Sequence, residues 1–265
     1  MSLNYNGVIT YEDFVISEDE HKEYDDEYDT ETSDRAFEEE VMLAGFGAAP
    51  TKSEGSAINF DDANEAYTAR YNHETVALAF SITEEAEEDG QYGSLASRYT
   101  KALARSMAST KEIKAANVLN NAQAAGFTGG DGQTMLSASH PTQNGNQSNV
   151  LATAADLSET SLESILINIS DMKDDRGLRI AAQGMQLVIP TAYQFTAERL
   201  LESALRPSTA DNDINAIKAG GYLPRGYHIM RRLTDPDAFF ITTDVPDGLK
   251  HFTRSAMKKG MEGDF

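Results

Sequence analysis

From Ser94 to Ala125 the chain runs for 32 residues without a glycine or a proline, and no other feature limits its fold as much. Leu95, Tyr99, Leu103, Met107, Ile113 and Leu119 recur there at helical intervals. Gly126 supplies a left-handed stop and Phe127 its apolar contact. At about 1.5 Å per residue such a helix reaches roughly 48 Å, well beyond the usual three turns. The spacing therefore predicts a helix over 94–125 that acts as a spine for something wide. Ser94 caps it, after an acid-rich turn from Thr83 that Asp89-Gly90 interrupts.

Ahead of the spine the chain is dominated by charge. Between Glu12 and Glu40 stand 15 acidic residues and two bases, so this segment holds −13 of the net −21. A stretch this charged repels itself and builds no core of its own. Phe14, Ile16, Tyr24 and Tyr28 are spaced through it as apolar anchors. That pattern fits an arm laid across another surface as well as it fits a solvated tail. After an irregular linker at Gly45–Ser56, Tyr67, Ala69 and Tyr71 alternate, and so do Val76, Leu78, Phe80 and Ile82. Period two signals strands. With the face switching at Asn72-His73-Glu74, residues 57–83 are expected to form one long β-hairpin that projects from the body.

Beyond the spine, Gly126 to Asn149 reads as loop, with Met135-Leu136 as a short strand. Ser158 or Thr160 caps an amphipathic helix, Glu163 completing a Thr-x-x-Glu box and Gly177 ending it. Leu162, Ile165, Leu166, Ile169 and Met172 form its buried stripe. Met185–Ile189 is a buried strand stopped by Pro190, followed by a short helix through Phe195, Leu200 and Leu201. Strands are expected at Tyr227–Met230 and Ala238–Thr243. The class is α+β, without a repeating βαβ rhythm.

Composition removes several functions. There is no cysteine, hence no disulfide, thiolate metal site or cysteine nucleophile. The longest apolar run, Val76–Phe80, is far short of a membrane span. Met1-Ser2-Leu3-Asn4 predicts no secretory leader. Net charge of −21 disfavours a phosphate-binding basic face. His73-Glu74 begins like a zinc-protease helix, but Ala77 stands in place of its second histidine. Asp211-Asn212-Asp213 lacks the glycine and closing acid of a calcium loop, and its side chains are expected to bond their own backbone. Asp171, Asp174 and Asp175, interleaved with Lys173, Arg176 and Arg179, read as a solvated ion-pair face. His140, beside Ser137 and Ser139, is the one suggestive histidine, and stiffening its loop is the stronger reading than nucleophilic catalysis. No catalytic, cofactor or metal residue is assigned, so an enzyme is not expected.

Several stretches resemble tailed-phage major capsid proteins, the family that includes the major head subunit of phage Mu. They are Gly129-Gly130-Asp131-Gly132 leading into Leu136–Pro141, Ala154–Ser158 running through Asp174–Gly177, Asp211–Asn215, and Leu233–Phe240. With Gly45–Leu119, the likeness covers most of the chain after the arm. It implies a Hong Kong 97-type capsid fold: an acidic N-terminal arm at 1–44, an E-loop hairpin at 45–83, and a P-domain at 84–135 around the 94–125 spine. An A-domain follows at 136–250, and 251–265 begins the return to the P-domain. Some members cross-link E-loop lysines, but Lys52 is the only lysine near the hairpin and no such chemistry is expected.

The resemblance implies a major capsid protein that self-assembles into the icosahedral shell of a tailed bacteriophage and encloses double-stranded DNA. Hexamers and pentamers would form the shell in the host cytoplasm, with portal, scaffold or decoration proteins as further partners and no membrane. Phe14, Ile16, Tyr24, Tyr28, Tyr67, Tyr71 and Phe80 are the candidate inter-subunit contacts. An encapsulin-like compartment of the same fold is the alternative, and a hydrolase using His140 a remote one.

Overall fold

The spine is present. A computed structural model describes residues 23–81, 92–206 and 213–255, and in it helix α1 runs over Tyr92–Asn120. Of the large apolar residues expected to be buried, Leu119 is, but most of the helix's buried positions are small. Ala96, Thr100, Ala104, Ala108, Glu112 and Ala116 recur every fourth residue and are buried, whereas Tyr99 and Ile113 are exposed. Small side chains let other backbone come close, as the contacts below illustrate. The helix stops before the expected Gly126, which takes its left-handed conformation (φ +100°) in the loop beyond. Phe127 there is exposed.

The described chain forms two compact units. One contains residues 23–35, 73–117 and 250–255. In it, strands β1 (Asp29–Thr32) and β9 (Lys250–Thr253) pair in parallel, Thr30 opposite His251. Ahead of β1, a 3-10 turn at Tyr24–Asp26 seats Tyr24 at 7% exposure. The Glu23 N–H donates to the buried Glu112 of α1 at 2.7 Å, and the Tyr28 hydroxyl donates to the Ala115 carbonyl at 2.9 Å. The acidic segment from Glu23 to Thr32 is thus docked within its own chain, using α1 carbonyl and carboxylate acceptors in place of apolar bulk.

The other unit contains residues 36–72 and 118–249, less those outside the described set. Its core surrounds a three-stranded sheet in which β6 (Gly184–Ile189) lies between parallel β7 (Tyr227–Ile229) and antiparallel β8 (Phe240–Thr243). Leu187 and Ile189 are fully buried against helices α2 (Glu159–Ser170) and α3 (Gln194–Glu202), through Leu162, Leu166, Leu200 and Leu201. Full burial of such side chains stabilises by roughly 1.5–3 kcal/mol each before entropy is counted. Ser158 caps α2, but its reciprocal partner is Ser161, not the expected Thr160–Glu163 pair, and the helix ends at Ser170, not at Gly177. Leu157 and Leu162 flank that cap as a hydrophobic staple. A short helix α4 (Ala216–Gly220) is capped by Asn215. Met135-Leu136 forms no strand; the 126–149 loop instead contains a small hairpin, β4 (His140–Thr142) with β5 (Gly145–Gln147).

The expected 57–83 hairpin is corrected. Strand β3 (Asn64–Asn72) does contain Tyr67, Ala69 and Tyr71, but its antiparallel partner is β2 (Phe37–Ala44), within the segment read as arm. Phe37 faces Asn72, Glu39 faces Arg70, and a bulge falls between Val41 and Leu43. Residues 73–81 carry no strand. Arg70 accounts for this choice in part: its guanidinium lies 4.2 Å over the Phe37 ring, and its Nε donates to Glu39 at 2.7 Å. Acids that repel in an isolated arm find a cation across the ribbon.

Candidate assembly surface

The β2–β3 ribbon has two unlike faces. Glu38, Glu40, Tyr67, Ala69 and Tyr71 are half-buried on one, where the Tyr71 hydroxyl donates to Glu40 at 3.2 Å. The other bears Phe37, Val41 and Arg70, all exposed. Past the bulge, Met42 and Leu43 continue that apolar row, and the loop closing the ribbon adds Phe46, Ile58 and Phe60, the last 91% exposed. So much apolar surface on a two-stranded ribbon exceeds what scattered surface residues explain, and it marks an interaction surface.

The ribbon is held to its unit at three places. The Tyr67 hydroxyl donates to the Pro141 carbonyl at 3.0 Å. Gly130 meets the β3 backbone so closely that a Cβ there would lie 2.8 Å from the Thr68 carbonyl oxygen. The Arg176 Nη2 sits 2.8 Å from both Asp61 carboxylate oxygens, while Asp61 also accepts from the Gly47 N–H at 2.8 Å. That N–H, with Arg176, holds the Asp61 carboxyl below its ordinary value. The ribbon therefore lies against the unit along β3 instead of standing free of it.

The sequence-derived candidates fall into three groups. Phe14 and Ile16 lie outside the described residues. Tyr24, Tyr28, Tyr67 and Tyr71 make the intramolecular contacts given above, Tyr24 also meeting Tyr28 edge to face. Phe80 is exposed and meets Tyr99 edge to face at 5.7 Å. The residues that the sequence reading passed over are Phe37, Val41, Leu43, Phe46, Ile58 and Phe60. Alternation of Phe37, Val41 and Leu43 was a usable signal, hidden by the surrounding acids.

His140 sits in the loop beneath β3. Its Nδ1 is 2.6 Å from Asp131, and Nε2 is buried without a hydrogen-bond partner. Ser137 Oγ donates to the Gln133 side-chain carbonyl and accepts from the Ser139 N–H. Burial pulls the Asp131 carboxyl upward, and its bonds to His140 and the Gln133 N–H outweigh that, holding it low. The pair stitches the loop. The Asp171–Arg179 pair is solvated as expected, but Asp175 is buried and accepts from the Gln143 N–H, and Asp174 accepts from Arg176 and Leu178 N–H groups. That cluster shapes a turn. Asn215, in the segment expected to bond its own backbone, caps α4 and also donates to the Leu200 and Ser203 carbonyls. Among the described residues no group of three or more acids and histidines could hold a metal ion, and no helix is long and apolar enough to cross a membrane.

Among the described residues, the apolar side chains of the ribbon and its closing loop thus stand exposed. The phage capsid protein family matches residues 37–260, and the chain belongs to it. No curated protein matches the sequence. Among solved structures, the capsid of bacteriophage JBD30 decorated with minor capsid protein trimers is similar at TM-score 0.59 and 14% identity, covering 80% of this chain and 90% of that one. A second structure of the bacteriophage JBD30 capsid gives the same values. The JBD30 procapsid gives 0.52 and 14%, with 83% and 94% covered. The mixed helix and strand fold is thus a phage capsid fold, and the chain is a major capsid protein of the virion shell, structural and not enzymatic in its family.

Proposed function

We propose that the chain is the major head subunit of a tailed bacteriophage, of the Mu head-subunit type and Hong Kong 97-type fold. Its copies would form the hexamers and pentamers of an icosahedral shell around double-stranded DNA. The carrying observation is the set of exposed apolar side chains Val41, Met42, Leu43, Phe46, Ile58 and Phe60 on the ribbon and its closing loop, with Phe37 beneath Arg70 at the other end. In this reading the ribbon is the extended loop, placed at 37–72 where the sequence reading had 45–83. Helix α1 with β1 and β9 forms the peripheral domain, and the β7–β6–β8 sheet with α2 and α3 the axial domain. Residues before Ala36 are the arm, of which Phe14 and Ile16 remain the parts proposed to reach a neighbour, together with Phe80 on the exposed surface.

Assembly energy would come from modest apolar contacts repeated by symmetry. Net charge of −21 would keep packaged DNA from adhering to the wall. The JBD30 capsid is decorated by minor capsid protein trimers, and decoration, portal or scaffold proteins are proposed partners here, with assembly in the host cytoplasm. Electron microscopy and sedimentation of the purified protein test the reading. Capsomers or closed shells at micromolar concentration are expected. A compact monomer across a range of salt would overturn it, and shells enclosing a co-purified enzyme would favour an encapsulin-like compartment.

A further inference from the structure

We infer that Gly130 is the positioning residue of the ribbon: its missing side chain sets how closely β3 approaches the 129–141 loop, and hence where the apolar row is presented. The inference rests on the shell reading for its consequence, not for its geometry. A Cβ on Gly130 would lie 2.8 Å from the Thr68 carbonyl oxygen, 3.0 Å from its carbon and 3.4 Å from the Ala69 nitrogen. All three are backbone atoms of β3, so no side chain can swing away to make room; the strand itself must lift. Gly130 does not have a positive φ. Alanine there meets no left-handed backbone strain, and the three atoms nearest its Cβ all belong to the ribbon.

The surroundings make this contact a seat. Immediately beside it the Tyr67 hydroxyl reaches the Pro141 carbonyl at 3.0 Å, and the Asp131–His140 pair at 2.6 Å ties the two sides of the loop together. A stiff loop transmits a lift to β3 instead of absorbing it, since packed elements yield little to overpacking. Two neighbours provide contrast. A Cβ on Gly129 would meet chiefly the Asp131 carboxylate tip at 3.3 Å, away from the ribbon, while Gly132 has φ +76° and is needed for its own turn.

The test uses full-length Gly130→Ala and Gly130→Val, with Gly129→Ala as the loop control. Hydrogen exchange is followed on soluble subunits, and assembly by sedimentation and electron microscopy. In the Gly130 variants, amides of β2 and β3 are expected to exchange about tenfold faster or more, those of α2 and β6 to be unchanged, and half-assembly to need about tenfold more protein or to give mis-sized particles. Gly129→Ala, whose Cβ presses on the Asp131 carboxylate and not on β3, should change ribbon exchange and assembly less than either Gly130 variant. Wild-type protection of the ribbon in Gly130→Val, equal loss of protection in α2 and β6, or normal shells at normal concentration would overturn the inference. If the wild-type protein itself forms no particles, the shell reading fails, and ribbon exchange still decides the role of Gly130.

Discussion

The Tyr24 ring meets the His251 imidazole edge to face, with centroids 5.3 Å apart. One residue lies just ahead of β1 and the other within β9, so the contact locks the docked N-terminal segment to the far end of the sequence. Burial, then the Lys111 ammonium on α1, holds the imidazole below its ordinary 6.5, against a smaller upward pull from Asp25. Its Nδ1 is buried and has no hydrogen-bond partner among the described residues. The folded state thus prefers the neutral ring. The stability this ring contributes to docking is fully present above pH 6.5 and is lost as pH falls through the lower folded value. Amides of residues 24–32 should exchange faster at pH 5 than at pH 7.5, after correction for intrinsic rates. In His251→Phe, which keeps an edge-to-face ring, that difference should vanish.

Breaking the Asp61–Arg176 contact should free the loop that closes the ribbon. Both partners are partly exposed, so overall melting should barely move. Arg176→Ala should make residues 47–60 sensitive to limited proteolysis, and high salt should act in the same direction on the wild type. An unchanged cleavage pattern would show that the Gly47–Asp61 bond alone holds the loop.

The sheet core tolerates neither removal nor addition. Leu187→Ala at a fully buried position should destabilise by about 2–5 kcal/mol. Gly184→Ala places a Cβ 2.8 Å from Leu166 Cδ2 and 3.2 Å from Ile241 Cγ2, and overpacking of this kind costs about 1–3 kcal/mol. Denaturant melts of soluble subunits measure both.

Asn215 accepts from the Ile217 and Lys218 N–H groups as the α4 cap, donates to two further backbone carbonyls, and is 2% exposed. Asn215→Ala removes the α4 cap and leaves two carbonyls unpaired, so a loss of about 2–4 kcal/mol is expected. Asn215→Asp keeps the acceptor and loses the donors; its melting should show how much belongs to the cap.

Elements with a strong local signal were legible in the sequence: the 94–125 spine is found at Tyr92–Asn120, the 185–189 strand at Gly184–Ile189, and the following helix at Gln194–Glu202. The ribbon pairing was not. Period two identifies a strand but names no partner, and a polar linker separates β2 from β3. Charge density made Phe37–Ala44 look like a tail, because the Glu39–Arg70 bond that neutralises part of it exists only after pairing. The spine's packing face was equally hidden. Alanines, Thr100, Glu112 and Leu119, not Tyr99 or Ile113, are buried, and Glu112 accepts from the docked turn. Of the site, Tyr67 and Tyr71 were placed on the correct strand, while the exposed residues of β2 went unseen with it.

The parallel pairing of β1 with β9 also imposes an order of events. Residues 29–32 can find residues 250–253 only after the chain has been made as far as β9. At about 5–20 residues per second, translation leaves β1 waiting roughly ten to forty seconds, with its hydrogen-bonding edge uncommitted. Closing so long a loop is entropically slow as well. On a polysome, where nascent copies crowd one another, a newly finished β9 from one chain could capture the waiting β1 of the next.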